Sequence, residues 1–210
     1  MIKILIADDH PIVRKGLKNI IKETSDMTVA DEASNGQEVI KKALKKDFDI
    51  VVLDISMPGR SGLDILKELK IHKPKLSVLV LSVHPEEHYA VRALKAGASG
   101  YLTKESAPEE LIKAIYRISL GKKYISSSLA EKLALDLDIN SERPPHEALS
   151  DREFEVMCLI ASGKTIKEIA SELFLSIKTI STYRSRILEK MRLKSNAELI
   201  HYAIKHKLVE

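Results

Sequence analysis

The sequence has no tryptophan, a single cysteine, and nowhere an apolar run long enough to cross a bilayer. One thiol, Cys158, excludes an internal disulfide and a zinc site built from several cysteines. It lies in the apolar run VMCLIA, where a buried core thiol is a commoner role than a nucleophile. A membrane helix needs about 18 consecutive apolar residues, and the amino terminus lacks a leader pattern, so a soluble cytoplasmic chain is expected. Glycine is sparse too, eight in 210 residues. None builds the G-x-G-x-x-G turn after a first strand, which excludes a dehydrogenase of the dinucleotide-binding kind. What remains, 44% hydrophobic and 30% charged residues, is a globular composition. The length suits one large domain or two ordinary ones.

The net charge of +4 says little as a total. Within 177–194, however, Lys178, Arg184, Arg186, Lys190, Arg192 and Lys194 face only Glu189. That is a local basic stripe, for which a solvated helix face is the plain explanation.

The chain falls into two styles. Up to residue 120, short β-rich runs at 3–7, 28–33, 49–54, 76–82 and 100–102 alternate with helical patterns near 11–23, 36–46, 62–70, 86–96 and 108–119. Alternation with strands this apolar predicts a five-stranded parallel sheet covered on both faces, an α/β doubly wound domain. The functional crevice of such a fold lies beyond the carboxyl ends of its strands. Residues 121–147 read as a linker with room for a short helix at 128–137, and Pro144-Pro145 should stop regular structure there. From 148 to 210 every pattern is helical. SDRE (150–153) is a capping box opening a helix at 151–161, which Gly163 can end. Helices at 166–173, at 177–191 and from Ser195 follow, the last opened by SNAE at the same capping spacing.

The stretch LIADDH sets two adjacent carboxylates, Asp8 and Asp9, at the end of strand one, and Asp54 ends strand three. These strands neighbour each other in a doubly wound sheet, so three carboxylates converge. Without a cation such a cluster costs several kcal/mol or takes up protons (~3 kcal/mol or more). Mg²⁺ suits a site with few carboxylates and several waters. Ser82 follows strand four and Lys104 lies just beyond strand five. A cation, a lysine and a hydroxyl around one carboxylate suit a phosphoryl group being transferred to it. Each feature alone is weak; their fall at successive strand ends carries the reading. His10 and His84 lie close by, but an oxygen-rich site favours a hard ion, and both read as loop or helix-start residues.

ADDH, VLDISMPGRSG, LSVH and GYLTK together resemble the receiver domain of two-component response regulators, over residues 1–120. The resemblance implies a flavodoxin-like fold in which Asp54 takes phosphate from a sensor histidine kinase. It implies Mg²⁺ held by Asp9, Asp54 and the Ser56 backbone carbonyl, with Asp8 assisting through water. Lys104 would pair with the phosphoryl group, Ser82 would hydrogen-bond it, and Tyr101 occupies the position of the switch aromatic. A half-buried strand residue is an equal account of Tyr101. Pro58 and Gly62 match the loop after the phosphorylated residue, where proline rigidifies the turn and glycine spares a Cβ clash.

The helices at 166–173 and 177–191, joined by the turn FLS, have the shape of a helix-turn-helix. Ile177, Ile180, Ile187, Leu188 and Met191 should pack inward, leaving Lys178, Ser181, Thr182 and Ser185 outward with Arg186 and Lys190 on the flanks. Small hydroxyl residues on a basic helix let it sit deep in a major groove. SDRE, ASGKTIKEIA and SIKTI, spaced as they are, resemble the LuxR-type helix-turn-helix of NarL/FixJ response regulators over 148–208. That resemblance implies a four-helix domain binding double-stranded DNA through 177–190, with contacts from Lys178, Thr179, Ser181, Thr182, Tyr183, Ser185, Arg186 and Lys190. The last helix, 196–206, is commonly a dimer surface. A homodimer in the active state is implied, with RNA polymerase a further partner.

A phosphatase or phosphotransferase of similar crevice chemistry needs a second acid/base, commonly a carboxylate two residues after its nucleophile. Ser56 stands there, so the chain reads as no enzyme beyond phosphorylating and dephosphorylating itself. A DNA-binding regulator indifferent to phosphorylation is the alternative; the intact acidic cluster speaks against it.

Overall fold

The computed structural model describes residues 1–126, 129–131 and 144–209. The chain forms two compact units, Met1–Ile139 and Asn140–Glu210. The first runs β1 (Ile2–Ala7), α1 (Pro11–Lys22), β2 (Met27–Ala33), α2 (Gly36–Lys45), β3 (Ile50–Asp54), α3 (Gly62–His72), β4 (Ser77–Ser82), α4 (Glu86–Lys95), β5 (Gly100–Thr103) and α5 (Ala107–Ser119). Its strands form one parallel sheet in the order β2-β1-β3-β4-β5. The order reverses between β1 and β3, the crevice position of a doubly wound sheet. Ile4, Ile6, Ile50, Val52, Leu79 and Leu81 pack with Leu17 and Ile21 of α1 and Leu111, Ile115 and Ile118 of α5. The alternate residues Leu5, Val51, Leu53, Val78 and Val80 are equally buried and face the other side. Burial on both faces is why the strands read as continuous apolar runs.

One expectation for the intervening segment needs correction. Pro145 does not stop regular structure: it opens a 3-10 turn, Pro145–Ala148, with Pro144 as its cap. Proline suits a first helical position because that N–H has no intrahelical partner. In the stretch after α5, Tyr124 pairs in parallel with Gly100 at the sheet edge. The short helix expected at 128–137 falls almost wholly outside the described residues.

The second unit contains α6 (Asp151–Ala161), α7 (Ile166–Glu172), α8 (Ile177–Met191) and α9 (Asn196–Lys205). Both halves of the Ser150/Glu153 capping box form, and Thr165/Glu168 makes a second one. Gly163 takes the left-handed conformation after α6, at φ +84°. Phe154, Val156, Met157, Ile160, Ile169, Ile180, Ile187 and Leu199 make the core. Ile177 does not join it. It is 54% exposed, because it precedes the stripe of Ile180, Ile187 and Met191 that the neighbouring helices cover. Among the described residues no helix is long and apolar enough to cross a membrane.

Candidate functional site

The sheet register builds the first site. Ala7 pairs with Leu53, so Asp8 and Asp54 leave adjacent strands side by side. Both are 1% exposed. Ser82 pairs with Thr103 on the next strands, and the Lys104 amide donates to the Ser82 carbonyl at 2.7 Å. Lys104 therefore starts beside the crevice and its Nζ reaches both Asp54 Oδ2 and Asp8 Oδ2 at 2.6 Å. The other oxygens are oriented by the chain itself. Asp54 Oδ1 accepts from the Ser56 amide, and Asp8 Oδ1 from the His10 amide, each at 2.8 Å.

Burial pushes the Asp54 carboxyl up; Lys104 and the Ser56 amide pull it down, Asp8 adds to the rise, and the net direction is upward. Burial pulls Lys104 down, but its contacts with Asp54 and Asp8 outweigh this and hold the ammonium above its ordinary value. Burial is thus the main reason the Asp54 carboxyl rises, and the two carboxylates are the reason Lys104 stays charged. Asp8, Asp9, His10 and Asp54 each bring one ligand atom to within 4.8 Å of the others. Ser56 Oγ is buried there without a hydrogen bond. An oxygen-rich cluster short of positive charge fits a hard divalent cation. His10, set aside on sequence, is brought into the cluster: its Nδ1 lies 3.0 Å from Asp9 and 3.3 Å from Asp8.

Ser82 is fully buried. Its Oγ accepts from the His84 amide at 3.0 Å, and its hydroxyl lies against the Tyr101 phenol. Tyr101 is turned inward, 1% exposed, and its hydroxyl donates to the His84 carbonyl at 2.9 Å. Burial pushes that phenol well up. The His84 ring stacks on Tyr89, centroids 4.4 Å apart. Residues 82–84 and Tyr101 are thus one hydrogen-bonded group.

The second site is α8. Ser176 caps it by accepting from the Thr179 amide. Lys178, Ser181, Thr182, Ser185 and Arg186 are exposed, and Tyr183 is half-buried. Ser181, Thr182 and Ser185 each donate to the carbonyl four residues back, so they lie close to the helix and add little bulk. Two members of the expected contact set are otherwise engaged. Thr179 is half-buried with its hydroxyl 2.8 Å from that of Ser176. Lys190 pairs at 2.6 Å with the buried Glu153 of α6, which ties α8 to its own domain.

Glu153 gives a stability prediction. Burial raises its carboxyl, but Lys190 and the Ser150 amide outweigh that and hold it below its ordinary value. A lowered folded value contributes stability above the unfolded one, lost as pH falls through the folded one. Lys190→Met should therefore destabilise the second unit by about 1–2 kcal/mol at neutral pH, modest because the ammonium is partly solvated. The deficit should shrink as pH drops below the ordinary glutamate range, which urea titrations at two pH values would show.

The comparisons with known proteins identify both domains. Residues 4–116 match the model for the response regulator receiver domain, and residues 147–203 match that for bacterial regulatory proteins of the luxR family. The chain belongs to the response regulator family. This response regulator is 35% identical to response regulator UvrY of Escherichia coli strain K12 over 209 residues, covering 99% of this chain and 96% of the relative. It is 38% identical to the oxygen regulatory protein NreC of Staphylococcus carnosus over 215 residues, 99% of each. Among solved structures, RcsB from Salmonella enterica serovar Typhimurium, bound to promoter rprA in the presence of phosphomimetic BeF3-, matches with a TM-score of 0.66 at 30% identity. That match covers 96% of this chain and 98% of RcsB. The response regulator therefore carries a flavodoxin-like receiver and a LuxR-type DNA-binding domain.

Proposed function

We propose that Asp54 accepts a phosphoryl group from a sensor histidine kinase, and that this acylphosphate switches dimeric binding to double-stranded DNA. The observation that carries the reading is Asp54 itself: a buried carboxylate, oriented by the Ser56 amide, with Lys104 at 2.6 Å and two more acids beside it. A carboxylate oxygen of Asp54 forms the new P–O bond as the P–N bond of a phosphohistidine breaks, and the leaving imidazole keeps the bonding pair. Mg²⁺, held by Asp9, Asp54 and the Ser56 carbonyl with Asp8 assisting, would neutralise charge on the transferring oxygens. Lys104 moves its contact from Asp54 to a phosphoryl oxygen. Ser82 turns its hydroxyl from Tyr101 to another, and Tyr101, tied to the same loop, follows. Phosphorylation thus shifts an existing equilibrium between two arrangements of this group.

In this reading the receiver spans 1–120, the linker 121–147 and the DNA-binding domain 148–210. Lys178, Ser181, Thr182, Tyr183, Ser185 and Arg186 meet DNA, with Thr179 supporting the cap and Lys190 the fold. A two-fold dimer would read half-sites about 34–36 Å apart, with α9 at the dimer surface and RNA polymerase downstream in the cytoplasm. RcsB bound to promoter DNA in the presence of a phosphomimetic is in keeping with this reading.

The protein incubated with Mg²⁺ and acetyl phosphate should gain the mass of one phosphoryl group and bind DNA selected from its genome more tightly. Asp54→Ala should abolish both effects. Binding that ignores the donor would establish a phosphorylation-independent regulator, and sustained donor turnover would establish an enzyme.

A further inference from the structure

Past α5 the chain reverses at Gly121, whose φ is +76°, and residues 122–126 run back along the sheet. The Tyr124 amide donates to the Ser99 carbonyl at 2.9 Å, extending the sheet edge beside β5. Arg117 Nε donates to the Lys123 carbonyl at 3.0 Å, and Lys123 Nζ to the Ala98 carbonyl. Tyr124 hydrogen-bonds Glu110 through its hydroxyl. The approach is close enough to require glycine: a Cβ at Gly100 would lie 2.8 Å from the Tyr124 carbonyl oxygen. At the far end Ser126 Oγ donates to Glu86 Oε2 at 2.5 Å, and the Ser126 amide reaches Glu86 Oε1 at 3.5 Å.

Glu86 is the first residue of α4 and lies two residues beyond His84. His84 is held on one side by Ser82 Oγ and on the other by the Tyr101 hydroxyl. A short covalent and hydrogen-bonded path therefore joins the phosphoryl-binding hydroxyl to the segment leading out of the receiver. Ser82 cannot turn toward Asp54 and keep its present contacts with the His84 amide and Tyr101. The loop 83–85 must adjust, and Glu86 moves with it. We infer that residues 122–126 are a strap docked on the β5 edge and latched by Glu86, and that phosphorylation of Asp54 releases the latch. Release returns these residues to the tether between the units, adding about 17 Å of extended chain. The charge state of one crevice would thus set how much tether the DNA-binding domain has. The docking stands on the contacts alone; its gating rests on the reading of Asp54 as phospho-acceptor.

Hydrogen exchange of the full-length protein, read by mass spectrometry with and without Mg²⁺ and acetyl phosphate, tests both parts. The Tyr124 amide should exchange at least about tenfold faster in the phosphorylated protein, as 1.4 kcal/mol of lost protection would give. Glu86→Ala, and the milder Ser126→Ala, should show the faster exchange without any donor. Wild-type exchange in both variants overturns the latch. Phosphoryl uptake with unchanged Tyr124 exchange overturns the gating while leaving the phospho-acceptor intact. No uptake at all overturns the phospho-acceptor reading and the gating with it, and would show as an unchanged intact mass.

Discussion

Gly62→Ala should lower the stability of the receiver by about 3 kcal/mol, at the upper end of what overpacking costs. A Cβ at this position would lie 2.2 Å from Ile55 Cα and 2.9 Å from its carbonyl carbon. The obstacle is backbone, so no rotamer change relieves it. Gly62 also donates its amide to the Ile55 carbonyl at 3.2 Å, which locks α3 against the loop leaving β3. Moving Ile55 displaces Ser56, whose amide orients Asp54, so phosphoryl uptake should slow along with the loss of stability. Gly16→Ala makes a control of identical chemistry. Gly16 lies inside α1 with nothing within 4 Å of its would-be Cβ, and alanine there should stabilise by up to about 1 kcal/mol. Urea denaturation of both variants would show the opposite signs; similar small shifts would mean that the β3–α3 loop yields easily.

The parallel sheet and most helices were legible because their signals are local. Apolar runs of four to six residues alternated with period-3.6 stretches, and capping residues such as Ser150 and Ser195 marked helix starts. The crevice residues were legible because a doubly wound sheet sends the carboxyl ends of its strands to one side, so Asp8, Asp54 and Lys104 had to meet, with Ser82 on the adjoining strand end. Features that depend on long-range packing were not legible. Lys190 and Glu153 are 37 residues apart, and only the packing of α6 on α8 makes them a pair. Ile177 fits the inward spacing, yet the covering helices stop short of it. The pairing of Tyr124 with Gly100 left no period in so short a segment, although a glycine at the start of a strand is a usable sign of close backbone approach. The second capping box, TIKE at 165–168, was present in the sequence at the same spacing as the first.

Lys104→Met should destabilise the receiver by about 3–5 kcal/mol in the presence of a chelator, the cost of leaving buried charges without their partner. The lysine side chain is 16% exposed, and its two partners are almost fully buried, at 2.6 Å each. With the ammonium gone, burial and the neighbouring Asp8 would raise the Asp54 carboxyl further in the direction it already takes. An acid whose folded value is raised binds its proton more tightly when folded. Stability is then greatest below the unfolded value and falls as pH rises toward the folded one. The variant should accordingly lose stability as pH rises above the ordinary aspartate range. Magnesium should restore much of it, because an ion that binds only the folded state adds about 2.7 kcal/mol at a hundred times its dissociation constant. Asp54→Asn in the same background should remove one charge from the cluster, reduce the pH dependence and weaken the magnesium response. Thermal melts across pH, with chelator or with magnesium, separate these terms. Equal melting of wild type and Lys104→Met in chelator would mean that the three carboxylates tolerate one another without a cation, and the reason for a metal at this crevice would be gone.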